Sequence, residues 1–104
     1  MSITVALEEL AQEVGKRGPG YLLTTTAGGR PHVMHLRFQI EGTELRAGVG
    51  RSATRNIEAE PAVTLLWPSD TDGGYSLIVD GTATIEDEAM AVITAIGAIL
   101  HRPA

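Results

Sequence analysis

The chain has 104 residues, a formal net charge of −5 at neutral pH and no cysteine. This length fits one domain, residues 1–104, and the acidic balance disfavours nucleic acid as a partner. Without thiols there are no disulfides or thiolate metal sites. Hydrophobic residues make up 43%, enough for a core, but no stretch approaches the roughly 20 apolar residues of a membrane span.

The first segment predicts an amphipathic helix over residues 3–15. Its apolar residues recur at helical spacing, with acidic residues on the opposite side: Ile3, Leu7, Leu10, Ala11 and Val14. Acids come early in this segment, and the only basic pair, Lys16 and Arg17, comes late. That order is wrong for a secretory signal peptide, so we expect a cytoplasmic protein.

Two β-segments follow, over residues 21–26 and 31–40, joined by a glycine-containing hairpin turn at Ala27–Arg30. The side chains of the second strand alternate between two faces. One face is polar and carries Val33, His35, Arg37 and Gln39; the other is mainly apolar and is predicted to face the core, with His32, Met34, Leu36, Phe38 and Ile40. Since His32 and His35 lie on opposite faces, we predict no metal site.

Three more strands are predicted, over residues 44–49, 62–67 and 75–85. The strand at 62–67 is nearly all apolar, which indicates burial on both faces or at an interface. Gly81 marks a bulge or a close approach of backbone. Asp87 is expected to cap a last helix, whose apolar face is formed by Met90, Val92, Ile93, Ile96, Ile99 and Leu100. The fold class is therefore mainly β (α+β): a small antiparallel barrel with flanking helices.

The segment after the third strand has the composition of an anion site. Gly48 and Gly50 allow a sharp bend, and a short helix is predicted to start at Arg51 and to stop before Pro61. Arg51, Ser52 and Arg55 stand at its start, where unpaired N–H groups favour a phosphate. The alternative is that the arginines are solvated and that Ser52 or Thr54 only caps the helix.

Charge distribution supports a small anionic, phosphorylated ligand. Arginine is concentrated in the middle of the chain, at Arg30, Arg37, Arg46, Arg51 and Arg55. After Asn56 only Arg102 is basic, against eight acidic residues. A basic centre in an acidic chain suits a small anion better than a polyanion.

Five short motifs, in this order, resemble those of the pyridoxamine 5′-phosphate oxidase-like family of FMN-binding split β-barrels. The motifs are Tyr21–Thr25, Gly29–His32, Arg51–Ile57, Pro61–Pro68 and Val79–Ala83. The resemblance implies a homodimer with FMN bound in grooves between the subunits. The family contains oxidases, deazaflavin-dependent reductases and haem-handling proteins.

The resemblance also implies roles for individual residues. The backbone of one strand would lie along the flavin ring, and this strand corresponds to Met34, His35, Leu36 and Arg37. The phosphate would be held by Gly50, Arg51, Ser52 and Ala53, with Arg55 as a second candidate arginine. Leu66 and Trp67 would lie near the ring, contributed by the partner subunit.

Two departures from the family pattern bear on function. Ala53 stands where many members have a lysine, and a further strand is expected after the last helix, where this chain stops. The primary hypothesis is an FMN-dependent oxidoreductase in which the cofactor carries the chemistry. The alternatives are a deazaflavin-binding reductase and a non-catalytic dimer that has lost the cofactor site. We expect a homodimer because the strand at 62–67 and the last helix present more apolar surface than this short chain covers.

Overall fold

The computed structural model describes residues 1–103 and contains one antiparallel sheet of eight strands. The strands are β1 (Ser2–Thr4), β2 (Gly20–Thr25), β3 (Pro31–Leu36), β4 (Gln39–Glu41), β5 (Glu44–Gly48), β6 (Ala62–Trp67), β7 (Ser76–Glu86) and β8 (Met90–His101). Two α-helices, α1 (Leu10–Gly15) and α2 (Arg51–Ala59), precede β2 and β6. None of the helices in this described part is long and apolar enough to cross a membrane.

The sheet curls into a half-barrel. Its strand order is β3-β2-β6-β7-β8-β5-β4, with β1 added beside β8. The two end strands, β3 and β4, are separated by only Arg37 and Phe38, so the chain itself joins the two ends of the sheet. The fold class predicted from sequence, a small antiparallel split barrel with flanking helices, is confirmed.

The core fills the concave side of this sheet. Its fully buried side chains come mainly from the central strands and from α1: Leu10, Leu22, Leu45, Leu65, Trp67, Leu77, Val79 and Ile93. The predicted strand at 62–67 has the observed bounds of β6. Its side chains alternate between buried and more exposed positions, so it is not buried on both faces.

The last helix predicted from sequence is wrong. Asp87–Ala89 form a single 3-10 turn, and residues 90–101 form β8, the longest strand. Its apolar residues satisfy a helical spacing, but β8 pairs with β7 along its whole length and with β5 along its first half, and this pairing outweighs local preference. A strand therefore stands where the last helix was predicted, and Asp87 caps no helix.

The predicted N-terminal helix is too long. Ser2–Thr4 instead form β1, which pairs with the end of β8 in the register Ser2 to His101. A 3-10 turn at Leu7–Glu9 follows, and α1 occupies only Leu10–Gly15. The predicted strand at 31–40 is likewise divided into β3 and β4 by the bend at residues 37 and 38.

Gly81 behaves as predicted, since the β7–β8 register shifts between Asp80 and Gly81. A Cβ at Gly81 would lie 2.8 Å from Ile93 Cγ2 and 2.9 Å from the carbonyl oxygen of Thr94. The glycine therefore permits a close approach of β8. The bulge leaves Ile96 exposed on the convex side of the sheet.

Trp67 connects three parts of the fold. Its indole N–H donates to the carbonyl of Gly18 at 3.0 Å, and its ring meets the edge of Phe38 with a centroid distance of 5.5 Å. A Cβ at Gly20 would come within 2.7 Å of the indole ring. The indole thus occupies the space that any side chain at position 20 would need.

We predict that Gly20→Ala lowers the free energy of unfolding by about 1–3 kcal/mol, because overpacking a rigid indole against backbone is costly. Urea unfolding followed by circular dichroism measures this change. Gly18→Ala is the matched control, since no atom lies within 4 Å of a Cβ there, and it should change stability less. Equal effects of the two substitutions would contradict the packing described.

The turn between β7 and β8 carries backbone strain. Glu88 and Ala89 have φ values of 62° and 56°, in the left-handed region. This conformation costs roughly 1–2 kcal/mol for a residue with a side chain. The turn is held by a hydrogen bond of 2.9 Å from the Val49 N–H to the Ala89 carbonyl.

We expect Ala89→Gly to raise the free energy of unfolding by up to about 1 kcal/mol, since relief of strain exceeds the entropy added to the unfolded chain. Thermal unfolding measures the difference. At Ala6, where φ is −64°, the same substitution should destabilise. A loss of stability at both positions would show that the turn is not strained.

Candidate functional site

The start of α2 lies beside β3, as the site predicted from sequence requires. A Cβ built on Gly50 would lie 4.0 Å from the Met34 methyl carbon. Met34 is half-buried and lies on the same face of β3 as His32 and Leu36. Predicted ring-contacting residues on β3 and predicted phosphate-binding residues on α2 are thus brought together.

No side chain caps the start of α2. Gly50 takes the N-cap position with no side-chain bond, and the first helical bond runs from Thr54 N to Gly50 O at 3.0 Å. The Thr54 hydroxyl also donates to this carbonyl, at 2.9 Å, so the capping alternative considered for Ser52 and Thr54 is wrong. The N–H groups of residues 51–53 precede the first helical bond and have no acceptor in the described chain.

A cavity of about 420 Å³ separates α2 from the β2–β3 hairpin. The helix contributes Ser52, Arg55 and Asn56, and the hairpin contributes residues 26–28 and His32. Asn56 is buried and donates to the Thr24 hydroxyl at 3.1 Å, which ties the helix to β2. Arg55 lines this cavity with Ser52, whereas Arg51 stands outside its lining.

His32 was not among the predicted site residues, because alternation placed it on the core face. Within residues 1–103 its Nδ1 is buried and has no hydrogen-bond partner. A buried polar atom without a partner is costly. The sequence does contain a sign of this role, because His32 is a histidine on an otherwise apolar face of its strand.

Four arginines in this region have no counter-charge among the described residues: Arg30, Arg37, Arg51 and Arg55. Arg46 differs, because it bridges Glu86 and Glu44 at 3.0 and 2.7 Å. Its hydrogen bonds to Glu86 and then Glu44 raise the pKa of Arg46 above its ordinary value. The free positive charge is therefore concentrated around β3 and the start of α2.

Ala53 is fully buried. It is directed into the protein between Ser52 and Thr54, so its side chain offers nothing to a ligand. A ligand at the start of α2 would therefore have to take positive charge from residues other than position 53.

His35 and Leu66 lie on the convex side of the sheet. His35 stacks on Tyr21 of the neighbouring strand, with ring centroids 4.6 Å apart. Tyr21 pairs in turn with Leu66 of β6, so the three side chains form one row. Arg37 is exposed at the bend after β3.

Leu66 and Trp67 point to opposite faces of β6. Trp67 is 2% exposed and belongs to the core, whereas Leu66 is half-buried in the row on the convex side. Leu36 packs against the core from the end of β3. Ring contacts by Leu66 and Trp67 from a partner subunit stay a prediction.

Two related sequences come from mycobacteria. An uncharacterised protein of Mycobacterium bovis and one of Mycobacterium tuberculosis are each 34% identical to this chain over 116 aligned positions. The alignments cover 96% of this chain and 82% of each relative. No protein-family model matches the chain.

Three solved structures share the fold at low identity. A protein of Listeria innocua provisionally described as a pyridoxamine 5′-phosphate oxidase has a TM-score of 0.72 at 17% identity, covering 90% of this chain and 96% of its own. A FAD-binding protein of Mesorhizobium loti has a TM-score of 0.73 at 15% identity, covering 98% of both chains. The haem storage protein HutZ of Vibrio cholerae has a TM-score of 0.64 at 18% identity, covering 89% and 91%.

These similarities carry different weight. Likeness below 25% identity establishes the fold alone, and proteins of this fold bind unlike ligands. The match to the mycobacterial proteins spans nearly the whole chain at higher identity. The chain therefore belongs to the family of these two uncharacterised mycobacterial proteins, and its fold is the pyridoxamine 5′-phosphate oxidase-like split β-barrel.

Proposed function

We propose that this protein is a cytoplasmic oxidoreductase that binds FMN between β3 and α2. The observation that carries the proposal is the uncapped start of α2 beside a cavity lined by Ser52, Arg55 and His32. A helix start with free N–H groups is a general anion site. The FAD-binding neighbour supports a flavin as the ligand of this fold.

The phosphate is assigned to the Ser52–Arg55 edge of this cavity. Arg55 has no carboxylate partner among the described residues, so a phosphate would not compete with an existing ion pair. His32 lines the same cavity, and an imidazole can take part in hydrogen bonds through its ring nitrogens. Arg55 would thus supply the positive charge that Ala53 lacks.

The ring is assigned to β3, which is an end strand that pairs only with β2. The other edge of β3 therefore offers backbone donors and acceptors of the kind a planar heterocycle needs. Bound flavin would supply hydride or electron transfer, and the protein supplies binding, orientation and electrostatics.

We further propose a homodimer that covers the convex side of β3, β2, β6, β7 and β8, called here the outer face. The sequence predicted the dimer from the apolar strand at 62–67 and from a last helix with a wide apolar face. Because that helix is the strand β8, the apolar surface is instead the outer face of the sheet. Val33 and Ile96 on it are 55% and 66% exposed, and Leu23, Leu66 and Ile78 are half-buried. A standard interface takes about 800 Å² from each partner, roughly an eighth of the chain's 6199 Å².

We predict that Arg55→Ala weakens FMN binding by roughly 10- to 150-fold, because a charge-assisted hydrogen bond contributes about 1.5–3 kcal/mol. Riboflavin lacks the phosphate and should bind both proteins almost equally. Titration of both ligands by flavin fluorescence measures the two affinities.

Arg51→Ala and Arg30→Ala are the matched controls, because neither arginine lines the cavity. Both should weaken FMN less than Arg55→Ala does. Equal losses for FMN and riboflavin, or no loss in Arg55→Ala, would contradict the phosphate assignment. Binding of a deazaflavin cofactor in place of FMN would support the reductase alternative, and binding of neither would support a dimer that has lost the cofactor site.

For the dimer, sedimentation velocity should give a mass near twice the 11.0 kDa of the chain. Ile96→Asp should shift it towards the monomer, because a carboxylate would be buried in an apolar interface. Ile3→Asp is the control, since Ile3 is 46% exposed on β1, away from the outer face. A wild-type monomer at micromolar concentration would rule out the interface.

A further inference from the structure

A second cavity, of about 500 Å³, lies between the end of α1 and the loop that joins β6 to β7. Apart from Trp67, its lining contains no residue of the site described above. The apolar part of its lining is formed by Pro19, Trp67, Pro68 and Leu100. The polar part includes the basic residues Lys16 and Arg17.

Arg17 is the unusual residue of this cavity. Its side chain is 19% exposed, yet its hydrogen bonds are long: Nη1 donates to the carbonyls of Trp67 at 3.4 Å and of Tyr75 at 3.3 Å. The nearest carboxylate oxygen, on Glu13, is 3.9 Å from Nη2. The Nε donor is buried and has no partner within residues 1–103.

These distances leave much of the guanidinium's capacity unused. The group carries five N–H donors, and its hydrogen bonds to carboxylates are normally about 2.7–2.9 Å long. Burial without strong partners is unfavourable for a cation. Glu13 does not pair closely with the Arg17 guanidinium, because its other carboxylate oxygen accepts from Lys16 at 3.0 Å.

The lining also defines the class of ligand. Lys16 and Arg17 are balanced by Glu13 and Asp70, so the formal charge of the lining is zero. This balance favours a singly charged ligand over a phosphate. The Nη2 group of Arg17, whose nearest carboxylate oxygen is 3.9 Å away, can donate to a ligand carboxylate, and the prolines, indole and leucine suit an apolar body.

We propose that this cavity binds a small carboxylate with an aromatic or aliphatic body. Arg17 holds the carboxylate, and the body packs against Trp67 and Leu100. The inference does not depend on flavin binding, because the arginine involved and the cavity are different.

The test uses benzoate as the probe and the fluorescence of Trp67, which is the only tryptophan of the chain and lines the cavity. Benzoate should produce a saturable change in the wild-type protein, and benzamide, which has the same shape without the charge, should bind at least tenfold more weakly. Arg17→Gln should weaken benzoate by roughly 10- to 100-fold. Arg55→Ala, in the other cavity, should leave benzoate affinity unchanged.

Because Arg17 also contacts two backbone carbonyls, each variant is first compared with the wild type by circular dichroism. If Arg17→Gln does not fold, Arg17→Lys takes its place; it keeps the charge, loses the Nη2 donor and should still weaken benzoate. The proposal is overturned if wild type shows no saturable response to benzoate, if benzamide binds equally well, or if a folded Arg17 variant retains full affinity.

Discussion

The pairing of β8 is the constraint on which the rest of this structure depends. This strand pairs with β7 along its whole length, with β5 at its start and with β1 at its end. It therefore joins the N-terminal strand β1, its hairpin partner β7 and β5, the strand that leads into α2. Since the strained β7–β8 turn accepts the Val49 N–H, the same hairpin also fixes the backbone just before Gly50 and the start of α2.

An element of this fold is predictable from sequence when residues close to it in the chain determine its structure. The β2–β3 hairpin, β6 and α2 follow from alternation, turn glycines and Pro61, which act over a few residues. The bulge at Gly81 is likewise visible in the sequence, because a glycine within a strand needs a reason. The identity of β8 is not, since Val92, Ile93, Ile96 and Ile99 satisfy a helical spacing as well as a strand. Only pairing with distant strands decides between the two.

The candidate site likewise has features that are visible in the local sequence and features that only the fold determines. The start of α2 and its arginines are evident from composition. That this start is uncapped, and which of Arg51 and Arg55 faces the hairpin, depends on the fold. Alternation correctly placed His32 with Met34 on one face of β3, yet it could not show that α2 lies opposite His32. In both cavities the candidate ligand-binding residue is an arginine without a close carboxylate partner. Whether an arginine has such a partner depends on the fold, so the sequence alone does not reveal it.

We propose above that the phosphate of a flavin binds at the start of α2. Amide NMR spectra recorded with FMN and with riboflavin test it most directly, because the two ligands differ only in the phosphate. FMN, and not riboflavin, should shift the amide signals of Ser52, Ala53 and Arg55, while both ligands should shift signals along β3. Saturable FMN shifts confined to another part of the chain, or no saturable shifts at all, would contradict it.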